Sequence, residues 1–234
     1  MNSENISDSQ PKGIIIAIDG PAGAGKSTTA KIVAARLGYQ YLDTGAMYRA
    51  LTFYSLTNNI PASETEKLTQ IASDMIIEFE TTEELNKVYL NSQDITSEIR
   101  TPEVTRAVSE ISAIKGVRRA MVAKQRKIGK AGSIVAEGRD TTTIVFPDAE
   151  LKIYLDASVE QRAERRLLDM SKQGVNTTLK EQKDDLIRRD NFDSHREHSP
   201  LTKSPDAMIV DTTRLTIEEQ VDEIISKVNS VIKK

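Results

Sequence analysis

The stretch GIIIAIDGPAGAGKSTTAKIVAARLG, residues 13–38, decides the fold. It opens with a short apolar, β-branched run, turns through glycines, and continues with helical spacing that sets Ile32, Val33 and Leu37 on one face. That is strand, loop and helix. Residues 20–27, GPAGAGKS, match the G-x-x-x-x-G-K-[ST] template of a P-loop in the strand-to-helix setting the template needs. Glycines let the backbone curl so that several N–H groups point at one centre, where the helix N-terminus adds about half a positive charge. Gly20, Pro21, Ala22, Gly23, Ala24, Gly25, Lys26, Ser27 and Thr28 are expected to hold a nucleoside triphosphate, ATP in a kinase. Lys26 would reach its terminal phosphates and the Ser27 hydroxyl would hold Mg2+.

Outward from this unit, Gly38 suits the left-handed residue that closes a helix, and residues 39–42 are short enough for a second buried strand. Apolar runs at 133–136, 151–155 and 207–210 alternate with helix-like stretches. The expected class is α/β, a five-stranded parallel sheet with helices on both faces. Between residues 61 and 100 the texture changes. Ile77, Phe79, Val88, Leu90 and Ile95 fall in short alternating segments broken by turn residues, which predicts a small antiparallel insertion. Residues 102–128 return to helical spacing, divided at Lys115-Gly116. An Arg-rich helical stretch follows Ser158, and a further helix opens with Thr178 and Glu181 as a capping box. Residues 1–12, MNSENISDSQPK, have no apolar run and are expected to form a disordered tail.

The 234 residues carry 32 Lys and Arg against 35 Asp and Glu, a net charge of -3, which argues against a general nucleic-acid binder. The absence of Cys excludes disulfides, thiolate nucleophiles and cysteine-ligated metal sites, and fits a reducing compartment. No run approaches the length of a membrane span. A cytoplasmic protein, monomeric and not bound to membrane, is expected. A P-loop alone does not choose among kinase, motor and switch. The Asn-Lys-x-Asp motif of guanine-nucleotide switches is missing, since Asn86-Lys87 is followed by Val88-Tyr89.

The segments IDGPAGAGKST, LDTGAMYR, VYLNSQDITSEIRTPEV, AEGRD and VFPDAELKIYLDAS together resemble bacterial cytidylate kinases, nucleoside monophosphate kinases, over residues 13–230. The resemblance implies transfer of the γ-phosphoryl group of ATP, with Mg2+, to CMP or dCMP. It also implies a core at 13–60, 101–157 and 174–234, an acceptor-binding insertion at 61–100 and a mobile lid at 158–173. By this resemblance Ser109, Arg118 and Asp140 read cytosine, whose exocyclic amine a carboxylate can accept and whose ring acceptors a guanidinium can serve. Thr44, Tyr48, Arg49 and Arg139 match positions around the acceptor phosphate and sugar, as do Arg189, Asp193 and Arg196. Arg49, Arg139 and Lys26 would act in catalysis together with lid arginines, Arg162 and Arg166 ahead of Arg165.

Plainer readings stand beside these. Tyr48 also suits a half-buried core phenol, Arg49 and Arg139 suit surface ion pairs, and Arg189 with Asp193 suits an i,i+4 salt bridge. Glu137 either orders magnesium waters or caps nearby amides. His195 and His198 form H-x-x-H without the further ligands a metal would need. Thr141-Thr142-Thr143 departs from the family pattern, where a Met-Gly or similar pair often follows GRD, and this bears on how Asp140 is held. Rival functions are a kinase of the same fold acting on UMP, AMP or shikimate, and an ATP-dependent regulatory module.

Overall fold

The computed structural model describes residues 13–81, 86–172 and 174–232. The expected tail at 1–12 lies outside them. Strand β1 (Ile15–Asp19), β2 (Gln40–Asp43), β6 (Ile134–Glu137), β7 (Leu151–Asp156) and β8 (Met208–Asp211) form one sheet in the order β2-β6-β1-β7-β8, every pairing parallel. The chain leaves β1 for one edge of the sheet and returns past it to the other, so the switch point lies beside β1. Ligands in such folds bind at the carboxyl ends of the strands at that point.

Strand alternation divides the apolar side chains between two cores. Ala17, Leu42, Ile134 and Ala136 point into one, while Ile16, Ile18, Tyr41 and Val135 point into the other. Helices α1 (Lys26–Leu37) and α8 (Ile217–Ile232) cover the second face. The first is covered by α2 (Thr44–Thr57), α4 (Pro102–Ala113) and α5 (Lys115–Gly129). The α4/α5 break falls at Ile114, where the backbone is extended and the Ile114 N–H donates to the Ile111 carbonyl.

The insertion contains β3 (Ile77–Thr81), β4 (Asn86–Leu90) and β5 (Gln93–Asp94), paired antiparallel. Asn91 and Ser92, both at positive φ, make the tight two-residue turn between the last two. It also contains helix α3 (Thr65–Asp74), which the sequence reading did not anticipate. Only Leu68 and Ala72 of this polar segment are buried, and they owe that to packing against the same core as α5. Helices α6 (Val159–Lys172) and α7 (Leu179–His195) pack together, and α7 opens with both bonds of the Thr178–Glu181 capping box. Among the described residues no helix is long and apolar enough to cross a membrane.

Candidate active site

Between β1 and α1 the backbone takes left-handed turns at Gly23 (φ 79°) and Gly25 (φ 92°). Gly20 lies against β7, where a Cβ would come within 2.0 Å of the Leu155 carbonyl oxygen. Gly25 is the N-cap of α1 and offers no side-chain acceptor, so the first-turn N–H groups keep their capacity to bind an anion. Lys26 is buried and its Nζ donates to the Pro21 carbonyl at 2.8 Å. Burial and the nearby Arg139 push its ammonium down to about 7, against the pull of Glu137. Ser27 Oγ donates to Glu137 Oε1 at 2.6 Å. Burial, with Asp43 nearby, raises the Glu137 carboxyl.

A cavity of about 560 Å3 runs from this loop along the carboxyl ends of β2 and β6 to α4 and α5. Nine Lys or Arg side chains line it against five Asp or Glu, a surplus of four positive charges in a protein of net charge -3. Crowded cations show the strain. Burial and neighbouring guanidiniums push Arg189 down to about 9, and burial with nearby Arg100, Arg166 and Arg139 pushes Arg49 down to about 10, although Asp43 opposes it. Such a pocket is stabilised by a polyanion. The donor set fits a nucleotide, and Ser27 with Glu137 offers hard oxygens of the kind Mg2+ takes alongside phosphates. Among the described residues no cluster of three or more His, Cys, Asp or Glu is arranged to hold a metal, and His195 Nδ1 instead faces the Asn191 carbonyl at 2.9 Å.

At the far end, Arg118 Nη2 donates to Asp140 Oδ2 and Nη1 to the Ser112 carbonyl at 2.9 Å. Both members of the pair are buried, and Arg196 stands 3.7 Å from the other Asp140 oxygen. The Arg118 guanidinium lies over the Tyr48 ring, 5.2 Å from its centroid. Tyr48 is thus a buried phenol, pushed up to about 12 by burial, that also supports Arg118. Ser109 lines the same end of the cavity.

Between the two ends, Thr44 opens α2 and donates to the Glu137 carbonyl at 2.7 Å. Arg49 Nη1 is held by the Ile99 carbonyl at 3.1 Å and Thr105 Oγ1 at 2.9 Å, and the side chain lines the cavity. Arg139 Nε donates to Asp193 Oδ2 at 2.9 Å, whereas Arg189 Nε stands 4.0 Å from that oxygen and has no hydrogen-bond partner among the described residues. Asp193 therefore anchors Arg139 more than its i,i+4 neighbour. Although burial alone would raise its carboxyl, Arg139, Arg189 and Arg196 hold it lowered.

The lid arginines divide. Arg166 and Arg165 line the cavity, Arg165 also donating to Thr212 Oγ1 at 3.1 Å. Arg162 does not line it. Its guanidinium reaches the Ala22 carbonyl at 3.0 Å and Asp190 at 2.6 Å, bracing the phosphate loop. This direction is set by the packing of α6 on α7 around Ala22, Ala163 and Leu186, which helical spacing alone cannot reveal.

Three residues escaped the sequence reading. Asp43 caps α2 through the Ala46 N–H at 2.9 Å and pairs with Arg100 at 3.3 Å. Asp19 is fully buried below the phosphate loop. An acidic residue at the end of an apolar strand was the available signal for both Asp19 and Asp43; nothing local marked Arg100.

A family model described as cytidylate kinase matches residues 16–230. A cytidylate kinase of Clostridioides difficile (strain 630) is 49% identical over 216 residues, 92% of this chain and 98% of that protein. A cytidylate kinase of Bacillus cereus (strain B4264) is 48% identical over 223 residues, 95% of this chain and 99% of that protein. A crystal structure of an uncharacterized protein from Eubacterium ventriosum shares the fold, with a TM-score of 0.53 at 14% identity over 94% of this chain and 99% of that one. Matched along nearly its whole length by that family model, and by relatives close to half identical, the chain belongs to the cytidylate kinase family.

Proposed function

We propose that this protein transfers the γ-phosphoryl group of ATP to CMP or dCMP, giving ADP and CDP or dCDP. One observation carries the reading: a single cation-rich cavity joins the P-loop to the buried Arg118–Asp140 pair. A polyanion fits one end and a base with a donor beside acceptors fits the other. In this reading the protein acts as a monomer.

In this reading Lys26 and the open N–H groups of α1 bind the donor phosphates, while Arg49, Arg139 and Arg189 grip the acceptor phosphate. Mg2+, held through Ser27 and Glu137, would supply charge neutralisation on the donor. Arg118 and Asp140 fix the base, so the acceptor oxygen is oriented without a covalent intermediate. The acceptor phosphate is already anionic and needs no general base. Residues 61–100 act as the acceptor lobe and residues 158–173 as the lid, whose closure brings Arg165 and Arg166 toward the phosphates and excludes water. A panel of CMP, dCMP, UMP, AMP and GMP with ATP, assayed for ADP, tests the reading. CMP and dCMP are expected to lead. ATP binding without turnover of any of them would sink it.

The depressed Lys26 ammonium adds a second expectation. Above about pH 7 the free enzyme carries a partly neutral amine there, and bound phosphate favours the charged form. Binding of ATP at pH 8 should therefore take up protons. Calorimetry in buffers of differing ionisation enthalpy reads that uptake directly, and proton release at this pH would contradict the assignment.

A further inference from the structure

We infer that Asp19 is a positioning residue for base recognition: it caps the turn after Asp140 from a distant strand and so leaves the Asp140 carboxylate free for Arg118 and the ligand. The inference rests on the acceptor reading above.

Residues Thr141–Val145 form a wide helical turn, in which the Val145 N–H donates to the Asp140 carbonyl at 3.1 Å and that of Phe146 to the Thr141 carbonyl at 2.8 Å. The N–H groups that open such a turn have no acceptor within it. An aspartate at the N-cap ordinarily satisfies them with its own side chain. Asp140 occupies that position and makes no such bond. Asp19 does so instead, accepting from the Thr141 N–H at 2.8 Å, the Thr142 N–H at 2.7 Å and Thr142 Oγ1 at 2.6 Å. Asp19 and Thr141 are fully buried and Thr142 nearly so.

Two consequences follow. Relieved of capping, Asp140 turns toward Arg118. And because Asp19 directly precedes Gly20, which is held tightly against β7, the strand end that launches the phosphate loop also fixes the base-reading turn. The Thr142 hydroxyl, part of the segment that departs from the family pattern, adds a third bond to this brace.

Asp19→Asn removes one accepting oxygen and sets an amide against converging donors. Asp140 is then the carboxylate best placed to cap its own turn, leaving Arg118 without its partner. Calorimetric binding of CMP without ATP or metal, together with ATP KM and kcat/KM for CMP and UMP, tests this on Asp19→Asn, Thr142→Ala and Thr142→Ser. Asp19→Asn should weaken CMP binding about tenfold or more and narrow the CMP-to-UMP preference, with ATP KM within about threefold of wild type. Thr142→Ala should weaken CMP about threefold, and Thr142→Ser should restore it. A lowered melting temperature with CMP affinity and the CMP-to-UMP ratio unchanged would mean a merely structural Asp19 and overturn the inference. Should Asp19→Asn fail to fold, the threonine pair decides: wild-type CMP affinity in Thr142→Ala overturns it, and loss with rescue by serine supports it. Wild-type protein that turns over no CMP would remove the acceptor reading and this inference together, whereas normal wild-type turnover with an unshifted ratio in the variants removes only the inference.

Discussion

Lys26→Met should lower kcat with CMP by about 10^2- to 10^3-fold while raising the melting temperature of the ligand-free protein. The first half follows from the proposed role. An ammonium aimed at phosphates that gain charge in the transition state is worth most in a water-excluded site, and a thioether supplies nothing in its place. The second half follows from the ligand-free geometry. Lys26 is buried beside Arg139, and among the described residues its ammonium donates to the neutral Pro21 carbonyl. A lysine whose folded value is lowered binds fewer protons folded than unfolded between about 7 and 10.5, so it destabilises the fold. That destabilisation is fully present below about pH 7 and fades as pH rises toward 10.5. The gain from Lys26→Met should accordingly be larger at pH 6.5 than at pH 9, as roughly a pKa-linked quantity must be. Thermal melts at both values, beside steady-state kinetics, check the two halves separately. Near-wild-type turnover would take Lys26 out of the chemistry, and a lower melting temperature at both pH values would remove the electrostatic strain.

This opposition of stability and function extends across the cavity. Arg49 and Arg189 are also pushed down by burial among like charges. The fold tolerates them because Asp193, Asp43 and Asp140 hold part of the charge and because two cores bury the sheet on both faces. Binding a nucleotide would relieve the rest, so donor and acceptor should each raise the melting temperature more than their contact area alone suggests.

What could be read beforehand divides along physical lines. The sheet was legible because each strand and its following helix are local units: residues 13–38 carry strand period, phosphate loop and helix period in one run. The division of the helical stretch at 102–128 was legible from Lys115-Gly116, although the structure breaks it at Ile114 and puts both residues in the first turn of α5. Helix α3 was not, because Thr65–Asp74 is polar and its two buried side chains gain their burial from α5, far along the chain. The cavity-lining positions came from motif resemblance rather than periodicity, and the structure brings Thr44, Tyr48, Arg49, Ser109, Arg118, Arg139, Asp140, Arg189, Asp193 and Arg196 around one space. Arg162 shows the limit. Its i,i+4 neighbour Arg166 lines the cavity, yet only tertiary packing sends Arg162 to the Ala22 carbonyl. Asp19 is marked locally only as an acidic residue ending an apolar strand; what it holds is not, since its partners are 122 and 123 residues away.

Asp140→Asn should lower kcat/KM for CMP by about 10- to 100-fold, with a much smaller change for UMP. The two bases differ where this side chain points in the proposed pose. Cytosine offers an amine donor next to a ring acceptor, and uracil offers a carbonyl next to an N–H. A carboxylate accepts from the first and repels the second; an amide of the same shape can turn either end toward the base. Arg118 separates this from a general loss of structure. It is buried over Tyr48 and also donates to the Ser112 carbonyl, so the amide oxygen can keep one bond to it while the pair loses its charge. Some stability is lost, because a buried guanidinium without a carboxylate is costly, by about 3 kcal/mol or more when the partner is removed outright and by less here. ATP KM should hardly move, since Asp140 lies at the opposite end of the cavity from the phosphate loop's donors. Measuring kcat/KM for both acceptors and KM for ATP settles the matter: equal losses with CMP and UMP, or a matching loss of ATP affinity, would show that Asp140 supports the cavity wall without reading the base.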